Sequence, residues 1–597
     1  MNMYKIIVII SFILLPFCLF SQSIEDVYDL KFESFGKSYR GDWMNQGSMV
    51  KVTIDSNEVV NGRHPIKIYS KNTWSKNMPD REKILLLSRT VILPEHVNGS
   101  YCKVSINSKS ENLINWKFGI KGLDVNENIL HSDSLYIESE DWQEHSLSFP
   151  LNDIKAVKIE ISIIDDDPSD DQNAWLDRVY IDINNQNINA CRVDKPGSNA
   201  DPSLNKEYLI PLSLADTTIA RRIPGIEDKK IIGIGECTHG SQEIKHVCFQ
   251  LMKSLVVQSN CNVILIERPA DMSLKWDLYT QGVLAEAIEP EIIQELKCMF
   301  DDYESFFNFL QWLRKHNETS EAKVRIFGFD TLADPQTTLY EYFKLLIGDA
   351  NSLCYLQKLN ENDYESIRKY ALNDSTLQSS LSSKDFDYLL FLINEAEHNP
   401  SKLWGRDDKR EYGMWRKTDE IIKIYLKEND KAVVYAHSSH TNKMKDFFSD
   451  IFTIPSLGAY IYRKYKDEYF SIAIQVGKGE YTQDDTGAFS KAVLDQLQYP
   501  VIESFEYRAL KMGNDYFYYP TNKLDNNISS IRVIGRERRG LNQFFFCSLN
   551  KRFDGLIFVS KSSKLNNIEE YPFFYTTGLF GLKRAKRKEI LKNELLK

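Results

Sequence analysis

The sequence lacks the short motifs by which several large enzyme classes are recognised. It contains no phosphate-binding P-loop, no GxGxxG dinucleotide fingerprint, no GxSxG nucleophile elbow and no HExxH zinc signature. These absences argue against a nucleotide cofactor and against an ordinary serine hydrolase. An excess of positive charge is also missing, since the formal net charge is −10. We therefore expect no nucleic-acid partner.

Cysteine is sparse and without a pattern. The nine cysteines are scattered along the chain, and no CxxC pair occurs among them. Cys261 and Cys547 lie in apolar stretches, where a buried free thiol is the common outcome. The sequence therefore predicts neither a disulfide scaffold nor a thiolate metal site.

Long hydrophobic runs are limited to one, at the N-terminus. Lys5 precedes an apolar run that ends at Phe20 and is followed by small polar residues. This arrangement is typical of a secretory signal peptide, here over residues 1–22. An uncleaved anchor is the alternative, and Cys18 raises lipidation as another, although Phe17 stands where a lipoprotein signal needs a small residue. We expect an exported protein, periplasmic, cell-surface or secreted, with no transmembrane span after signal cleavage.

Residues 24–185 have the pattern of an all-β domain. Alternating apolar runs recur about every dozen residues and are separated by Asn, Asp, Ser and Gly clusters, as expected for a β-sandwich. The stretch 174–183 resembles the last strand of jelly-roll carbohydrate-binding modules. This resemblance implies a carbohydrate ligand for the β-domain, with sugar rings stacking on tryptophan. The candidates for such stacking are Trp43, Trp74, Trp142 and Trp175, although core packing is the default role for most of them.

The remainder of the chain predicts a second domain of another class. A polar linker is expected over residues 186–208, followed by strands alternating with helices over residues 209–565. We expect a mainly parallel central sheet flanked by helices. The run 469–474 is expected to continue this sheet, and the run 555–559 is expected either within it or at its edge. Residues 566–597 predict a basic helical tail.

Four apolar runs in the second domain each end on an acid or a histidine. Short β-branched runs between helical stretches indicate buried parallel strands, and the ligand crevice of such a sheet lies at the carboxyl ends of its strands. The polar residues at these ends are therefore predicted to share one place. They are Glu236, Glu267, Asp330 and His437.

The first strand end carries the sharpest motif, Gly235-Glu236-Cys237-Thr238-His239-Gly240. Glu236 and His239 lie three residues apart across a turn, and a carboxylate beside an imidazole suits a general base that activates water. The alternative is a capped helix with Thr238 as its N-cap and a hydrogen-bonded core histidine. A second pair, His437 and His440, follows the last of the four strands.

Together these motifs resemble the erythromycin esterase family, which hydrolyses the lactone ester of macrolide antibiotics. Gly-Glu-x-Thr-His-Gly, an acid 31 residues after Glu236, and aromatic-Ala-His-x-x-His occur in the family's order over roughly residues 210–565. The segments at Asp330 and Arg410 are similar to further landmarks of the family.

The resemblance implies roles for these residues without a metal or other cofactor. His239 would deprotonate water, Glu236 and Glu267 would orient that base or the water, and His437 would complete the site. The supporting set is His440, Arg268, Asp330, Arg410 and Thr238. Arg268 and Arg410 could neutralise oxyanion charge, but a buried ion pair with the carboxylates is an equal alternative for either.

Several departures and alternatives stay open. Cys237 replaces the small residue common at its position, so that a cysteine nucleophile is conceivable. The signal peptide and β-domain are not typical of the resistance enzymes, so the substrate is expected to be a macrolide-like lactone or another small-molecule or glycan ester. The same acids and histidines could instead hold zinc. A non-catalytic glycan-binding surface protein is the alternative of a different class.

Overall fold

The computed structural model describes most residues between 23 and 565. The ranges not described within that span are 34–42, 47–49, 71–83, 95–96, 112–115, 165–172, 192–202, 298–302, 332–334, 399–406, 448–453, 485–491, 527 and 535–542. The predictions of a signal peptide over 1–22, of lipidation at Cys18 and of a basic tail over 566–597 lie outside the described residues. Trp74 also falls outside them. None of the helices in the described ranges combines the length and the apolar character that a membrane crossing needs.

The described chain divides into two compact units. The first comprises the residues up to Leu204 together with Leu497–Gly513 and Leu524–Leu549. The second comprises Asn205–Gln496, Asn514–Lys523 and the residues from Asn550 onward. Two segments that the sequence analysis assigned to the second domain thus pack with the first unit.

The first unit contains two antiparallel sheets. One has the strand order β1-β4-β9-β6-β7, and the other has the order β2-β3-β10-β5-β8 with β11 paired to β10. The strands are β1 (Met44–Gln46), β2 (Val50–Ile54), β3 (Ile66–Ser70), β4 (Ile84–Ile92), β5 (Tyr101–Glu111), β6 (Trp116–Leu123), β7 (Ile129–Tyr136), β8 (Gln143–Pro150), β9 (Ala156–Ile164), β10 (Asn173–Ile183) and β11 (Gln186–Asn187). Two one-turn helices flank them, α1 (Ile24–Val27) and α2 (Ile188–Cys191).

Both sheets of the first unit pack on one apolar core. Residues alternate between buried and more exposed along the strands, because successive side chains of a strand point to opposite faces. Val104 and Ile106 of β5 and Ile159 and Ile161 of β9 are fully buried in the same cluster. The predicted jelly-roll-like sandwich is confirmed.

The tryptophans of the first unit mostly serve this packing. Trp43 is 1 % exposed and donates to the carbonyl of Asp29, and Trp175 is 5 % exposed and donates to Asp55. The ammonium groups of Lys67 and Lys109 lie over the Trp175 ring at 4.7 and 4.6 Å. Saccharide binding by this unit stays a prediction.

The C-terminal segments of the first unit add a helix and a hairpin. These elements are α14 (Phe505–Leu510), β20 (Ser530–Arg532) and β21 (Phe544–Phe546). Val501 and Phe544 are buried within the same apolar cluster as the sandwich. The sandwich core is therefore built from residues that stand far apart in the chain.

The second unit contains one mixed sheet of nine strands in the order β12-β19-β22-β17-β13-β16-β14-β15, with β18 paired to β17. The strands are β12 (Ile210–Pro211), β13 (Ile231–Glu236), β14 (Cys261–Pro269), β15 (Arg325–Asp330), β16 (Lys431–His437), β17 (Tyr469–Asp484), β18 (Ala492–Gln496), β19 (Tyr516–Pro520) and β22 (Gly555–Ser562). The pairs from β22 to β15 in that order are all parallel. The predicted mainly parallel sheet is confirmed.

Helices connect the parallel strands, as a parallel arrangement requires. They are α3 (Gln242–Gln258), α4 (Ala270–Thr280), α5 (Glu289–Lys297), α6 (Tyr303–Thr319), α7 (Pro335–Glu361, kinked at Gly348), α8 (Tyr364–Asn373), α9 (Ser375–Ser380), α10 (Ser383–His398), α11 (Asp407–Tyr425), α12 (Ser438–Thr441), α13 (Leu457–Tyr465) and α15 (Leu549–Arg552). Short 3-10 turns complete the connections at Lys206–Tyr208, Ile219–Arg222, Glu286–Ile288, Lys466–Glu468 and Thr521–Lys523.

Both later runs of the sequence analysis lie inside this sheet. The run 469–474 begins β17, which pairs with β13 at the middle of the sheet. The run 555–559 lies in β22, which is paired on both sides, parallel to β17 and antiparallel to β19. Of the two positions left open for it, the structure selects the interior one.

Candidate active site

The four predicted strand ends lie side by side. In the sheet, β13, β16, β14 and β15 are consecutive neighbours, and Glu236 at the end of β13 is in register with His437 at the end of β16. Since all four strands run in the same direction, their carboxyl ends meet at one edge. Glu236, Glu267, Asp330 and His437 are each less than 10 % exposed.

The turn after β13 depends on two glycines that allow close backbone approach. A Cβ at Gly235 would lie 2.3 Å from Oγ1 of Thr441, and a Cβ at Gly240 would lie 1.8 Å from the carbonyl oxygen of Thr482. The chain then enters α3 with Ser241 as its N-cap, which accepts from the amide of Ile244. The alternative interpretation, in which Thr238 is the N-cap, is therefore wrong, because the N-cap is Ser241.

Glu236 and His239 form a hydrogen-bonded pair across this turn. Nδ1 of His239 lies 2.6 Å from Oε1 of Glu236. A carboxylate only accepts, so Nδ1 carries a proton and the lone pair of neutral His239 is at Nε2. The His239 side chain is 14 % exposed, whereas that of Glu236 is 3 % exposed. The arrangement presents an oriented imidazole whose carboxylate partner is buried.

Glu236 has two further donors. Nζ of Lys245 lies 2.9 Å from Oε1 of Glu236, and the hydroxyl of Tyr435 donates to Oε2 at 2.6 Å. Lys245 also lies 3.0 Å from the Tyr435 hydroxyl. Both carboxylate oxygens of Glu236 are thereby held in place.

His437 lies beside His239 but is engaged on both ring nitrogens. The two ring centroids are 5.2 Å apart. Nε2 of His437 lies 3.2 Å from the carbonyl oxygen of Cys237, which only accepts, so Nε2 carries the proton, and Nδ1 accepts from the hydroxyl of Ser439 at 2.7 Å. Burial, together with the neighbouring His239 and His440, holds the pKa of His437 well below its usual 6.5. His437 is a neutral residue that fixes the turn carrying His239.

Glu267 joins β14 to the end of β16 through its side chain. The pairing of β14 with β15 shifts by one residue between Ile266 and Pro269, which is a β-bulge at Glu267 and Arg268. Oε2 of Glu267 accepts from the backbone amide of His437 at 2.8 Å. Burial alone would raise the pKa of Glu267, but the charge and hydrogen bond of His440 and the charge of Arg410 lower it well below 4.5. Glu267 is therefore ionised at neutral pH.

His440 lies between two carboxylates. Nε2 is 3.2 Å from Oε1 of Glu267, and Nδ1 forms a short contact with Oε1 of Glu411. Burial alone would lower the pKa of His440, but Glu411 and Glu267 raise it well above 6.5. His440 is thus an imidazolium, with both nitrogens donating. It cannot act as a base.

Arg410 is the second cation of this cluster. It donates from Nε and NH2 to the carboxylate of Asp330 at 3.1 and 2.9 Å, and from NH2 to Glu267 at 3.0 Å. NH1 lies 3.3 Å from Nε2 of His440, which is a contact between like charges that the carboxylates offset. The ion-pair alternative of the sequence analysis describes Arg410 and Asp330 well.

Arg268 and Thr238 have more local partners. NH1 of Arg268 donates to the backbone carbonyl of Glu267 at 2.8 Å, and Arg268 is only half-buried. Oγ1 of Thr238 accepts from the amide of Gly240 at 3.2 Å, so it stabilises the turn rather than facing the imidazole.

The zinc alternative requires several ligand side chains grouped around one point. Within the ranges that the structure describes, no three His, Cys, Asp or Glu side chains are grouped so that they could hold a metal ion. Lys245 and Arg410 instead provide the positive charge beside the carboxylates. Cys237, the other open alternative, is buried and forms no disulfide with another described cysteine.

The sequence analysis assigned no role to Lys245, Glu411, Tyr435 or Ser439. One signal was available for Lys245, because it shares the helix face of Cys248 and Met252, which is buried. A charged residue within such an apolar stripe indicates a buried partner. Glu411 and Ser439 carried no comparable signal.

The fold and the site define an α/β unit with histidine–carboxylate pairs at the carboxyl ends of parallel strands. Residues 388–562 match the family model described as erythromycin esterase. The predicted resemblance to this family is confirmed for that span. The span includes Arg410, His437 and His440, while Glu236, His239 and Glu267 precede it.

Two solved structures cover the second unit at low identity. A protein from Bacillus cereus is 20 % identical with a TM-score of 0.47, over 60 % of this chain and 97 % of that chain. A mutant of the erythromycin esterase EreC in its open conformation is 17 % identical with a TM-score of 0.41, over 57 % of this chain and 93 % of that chain. At these values the likeness assigns no activity to this chain.

The first unit is similar to carbohydrate-binding modules. The CBM22-1 xylan-binding domain of Xyn10C from Paenibacillus barcinonensis is 14 % identical with a TM-score of 0.18, over 25 % of this chain and 90 % of that chain. No curated protein matches the chain.

Proposed function

We propose that the second unit is a hydrolase that cleaves an ester or lactone with water activated by His239. The observation that carries the proposal is the pairing of Nδ1 of His239 with buried Glu236 at 2.6 Å. This pairing leaves the Nε2 lone pair to take a proton from water. Of His239, His437 and His440, His239 has the greatest access to solvent. Its side chain is 14 % exposed, whereas that of His440 is 9 % exposed and His437 is 2 % exposed.

The proposed reaction needs only proton transfers and one attacking water. Nε2 of His239 removes a proton as the water oxygen bonds to the carbonyl carbon, and the carbonyl oxygen becomes an oxyanion. The imidazolium then returns the proton to the alcohol oxygen as the ester C–O bond breaks. Glu236 stabilises the imidazolium between these steps, as an oriented carboxylate does for a histidine base.

The charges around His239 support this assignment. His437 is neutral and His440 is an imidazolium with both nitrogens donating, so neither competes with His239 as the base. Arg410 is paired with Asp330 and Glu267, but its side chain is 25 % exposed, and we propose that the same cation also offsets the oxyanion. The match of residues 388–562 to the erythromycin esterase family agrees with an ester substrate.

Replacement of the base tests the proposal. We expect His239→Ala to lower kcat/KM by a factor of about 10²–10⁴ on whichever member of an ester and lactone panel the parent protein cleaves, because general base catalysis contributes about this much. The panel contains aryl esters, a macrolide and acylated oligosaccharides. His246→Ala is the matched control, since His246 is exposed on α3.

Both variants are compared with the parent by circular dichroism, so that a loss of folding is recognised. Unchanged turnover in folded His239→Ala would contradict the proposed base. Turnover is also measured after dialysis against a chelator, and we expect no loss. A loss that added zinc restores would favour the metal-dependent alternative.

A further inference from the structure

We propose that Lys245 is a positioning residue that fixes the orientation of Glu236 and offsets its charge beside His239. The catalytic consequence rests on the function proposed above, but the electrostatic claim does not require turnover. Lys245 lies on the buried face of α3, nine positions after Glu236, and its side chain is fully buried.

A buried lysine is costly unless its ammonium group is paired. Lys245 has two polar neighbours, Oε1 of Glu236 at 2.9 Å and the Tyr435 hydroxyl at 3.0 Å. Ile244, Val247 and Cys248, which neighbour it on α3, are all buried. The lysine is therefore directed at the carboxylate that holds His239.

The donors form a closed ring around Glu236. Tyr435 donates to Oε2 at 2.6 Å, so its oxygen lone pair is available to accept from Lys245. Lys245 also donates to Oε1, the same oxygen that accepts from Nδ1 of His239. The ring prevents rotation of the carboxylate about its last torsion and keeps Oε1 aimed at the imidazole.

The positive charge of Lys245 also reduces the net negative charge around the His239 imidazole. His239 contacts Glu236 on β13 and lies beside neutral His437 on β16. Lys245 on α3 and Tyr435 on β16 contact the same Glu236, and Glu267 on β14 interacts electrostatically with His239. Two of these are carboxylates, and opposite charge within a few ångströms favours the protonated imidazole. Lys245 offsets the negative charge of the nearer carboxylate, so its removal leaves the imidazole facing more uncompensated negative charge.

A purely structural role for Lys245 makes a different prediction. If Lys245 only completed a buried ion pair, its replacement would change the free energy of unfolding and leave the titration midpoint of His239 unchanged. Two neutral replacements separate these roles, Lys245→Met and Lys245→Gln. Tyr435→Phe is the matched control, because it opens the ring and leaves the Lys245–Glu236 ion pair intact.

The test is an NMR titration of the imidazole in full-length protein labelled at the histidine Cε1 carbons. His239→Asn identifies the His239 signal by its loss. We expect the titration midpoint of His239 to rise by about one pH unit or more in both neutral variants, since a charge within about 4–6 Å shifts a titration by about this amount. In Tyr435→Phe we expect the midpoint of the parent protein.

Turnover gives the second measurement. If the parent protein cleaves an ester, we expect both neutral variants to lower kcat by about 10–100-fold with little change in KM, because a displaced base costs chemistry rather than binding. The acidic limb of the kcat/KM profile should move to higher pH in the same variants.

An unchanged midpoint in either folded neutral variant would overturn the proposal. Loss of folding in both would also overturn it, because it would show that the lysine is needed for the structure itself. Absence of turnover in the parent protein would count against the proposed function alone, since the titration is read without a substrate.

Discussion

Glu267 takes over a backbone position in the sheet, because its carboxylate accepts the hydrogen bond of the His437 amide at 2.8 Å. The bulge in β14 brings this side chain toward β16, where a carbonyl would otherwise accept. One carboxylate thus satisfies a buried amide with one oxygen and faces His440 and Arg410 with the other. Glu267 therefore contributes both to the hydrogen bonding of the strands and to the charge balance of the site.

Replacement of Glu267 should therefore destabilise the protein. We expect Glu267→Gln to lower the free energy of unfolding by about 3–5 kcal/mol, because it leaves two buried cations with less counter-charge. Urea unfolding measures the change. Glu318→Gln is the control, since its ion pair with Arg314 spans 3.7 Å and its side chain is 59 % exposed, so no measurable change is expected. Equal effects of the two variants would contradict the buried cluster.

The contribution of His440 to stability should depend on pH with a defined sign. Glu411 and Glu267 raise the pKa of His440 above 6.5 against the effect of burial. The stabilisation is therefore complete below the usual pKa and is lost as the pH rises through the raised one. We expect the difference in unfolding free energy between the parent protein and His440→Gln to be largest near about pH 6 and to shrink toward about pH 9.

Unfolding by urea at a series of pH values measures this difference. Glu267 does not reverse the trend in that window, because its pKa is held well below 4.5 despite burial, so its own contribution is lost only at more acidic pH. A difference that grows as the pH rises would show that His440 is neutral in the folded protein.

The turn that carries His239 should not tolerate a side chain at Gly240. A Cβ there would lie 1.8 Å from the carbonyl oxygen of Thr482, whose amide in turn donates to the carbonyl of Gly240 at 2.9 Å. We expect Gly240→Ala to cost about 1–3 kcal/mol or more, because the obstacle is backbone and cannot rotate away. Thermal unfolding measures the cost.

Gly119→Ala is the matched control for that measurement. A Cβ at Gly119 would meet its nearest atom at 3.6 Å, which is an ordinary contact. An unchanged unfolding midpoint in Gly240→Ala would contradict the close approach of the two backbones.

The sequence was most informative where burial and local pattern agree. The runs ending at Glu236, Asp330 and His437 became strands that end at those residues, because a β-branched run buried on both faces has few other solutions. β7 gives a weaker signal, since it is exposed along most of its length and half of its residues from Ile129 to Tyr136 are polar. Periodicity identifies a strand only when one of its faces is buried.

The site was predictable in its strand ends and less so in its partners. The proximity of Glu236 and His239 followed from their spacing across one turn. The partners of His440 did not, because Glu411 comes from α11 and approaches only when that helix packs beside α12. The neutral state of His437 could not be predicted from the sequence either, because it depends on hydrogen bonds with the Cys237 carbonyl and the Ser439 hydroxyl.

The late segments of the first unit carry a consequence for how this chain is made and divided. Because Val501 and Phe544 complete the sandwich core, a ribosome must release most of the polypeptide before that core can close. A fragment that ends at the polar linker would lack the two late segments and would expose apolar residues of the sandwich core. The remaining chain would carry these two segments without the sandwich on which they pack. Neither unit therefore corresponds to one continuous segment of the chain, and a single cut at the linker releases neither of them whole.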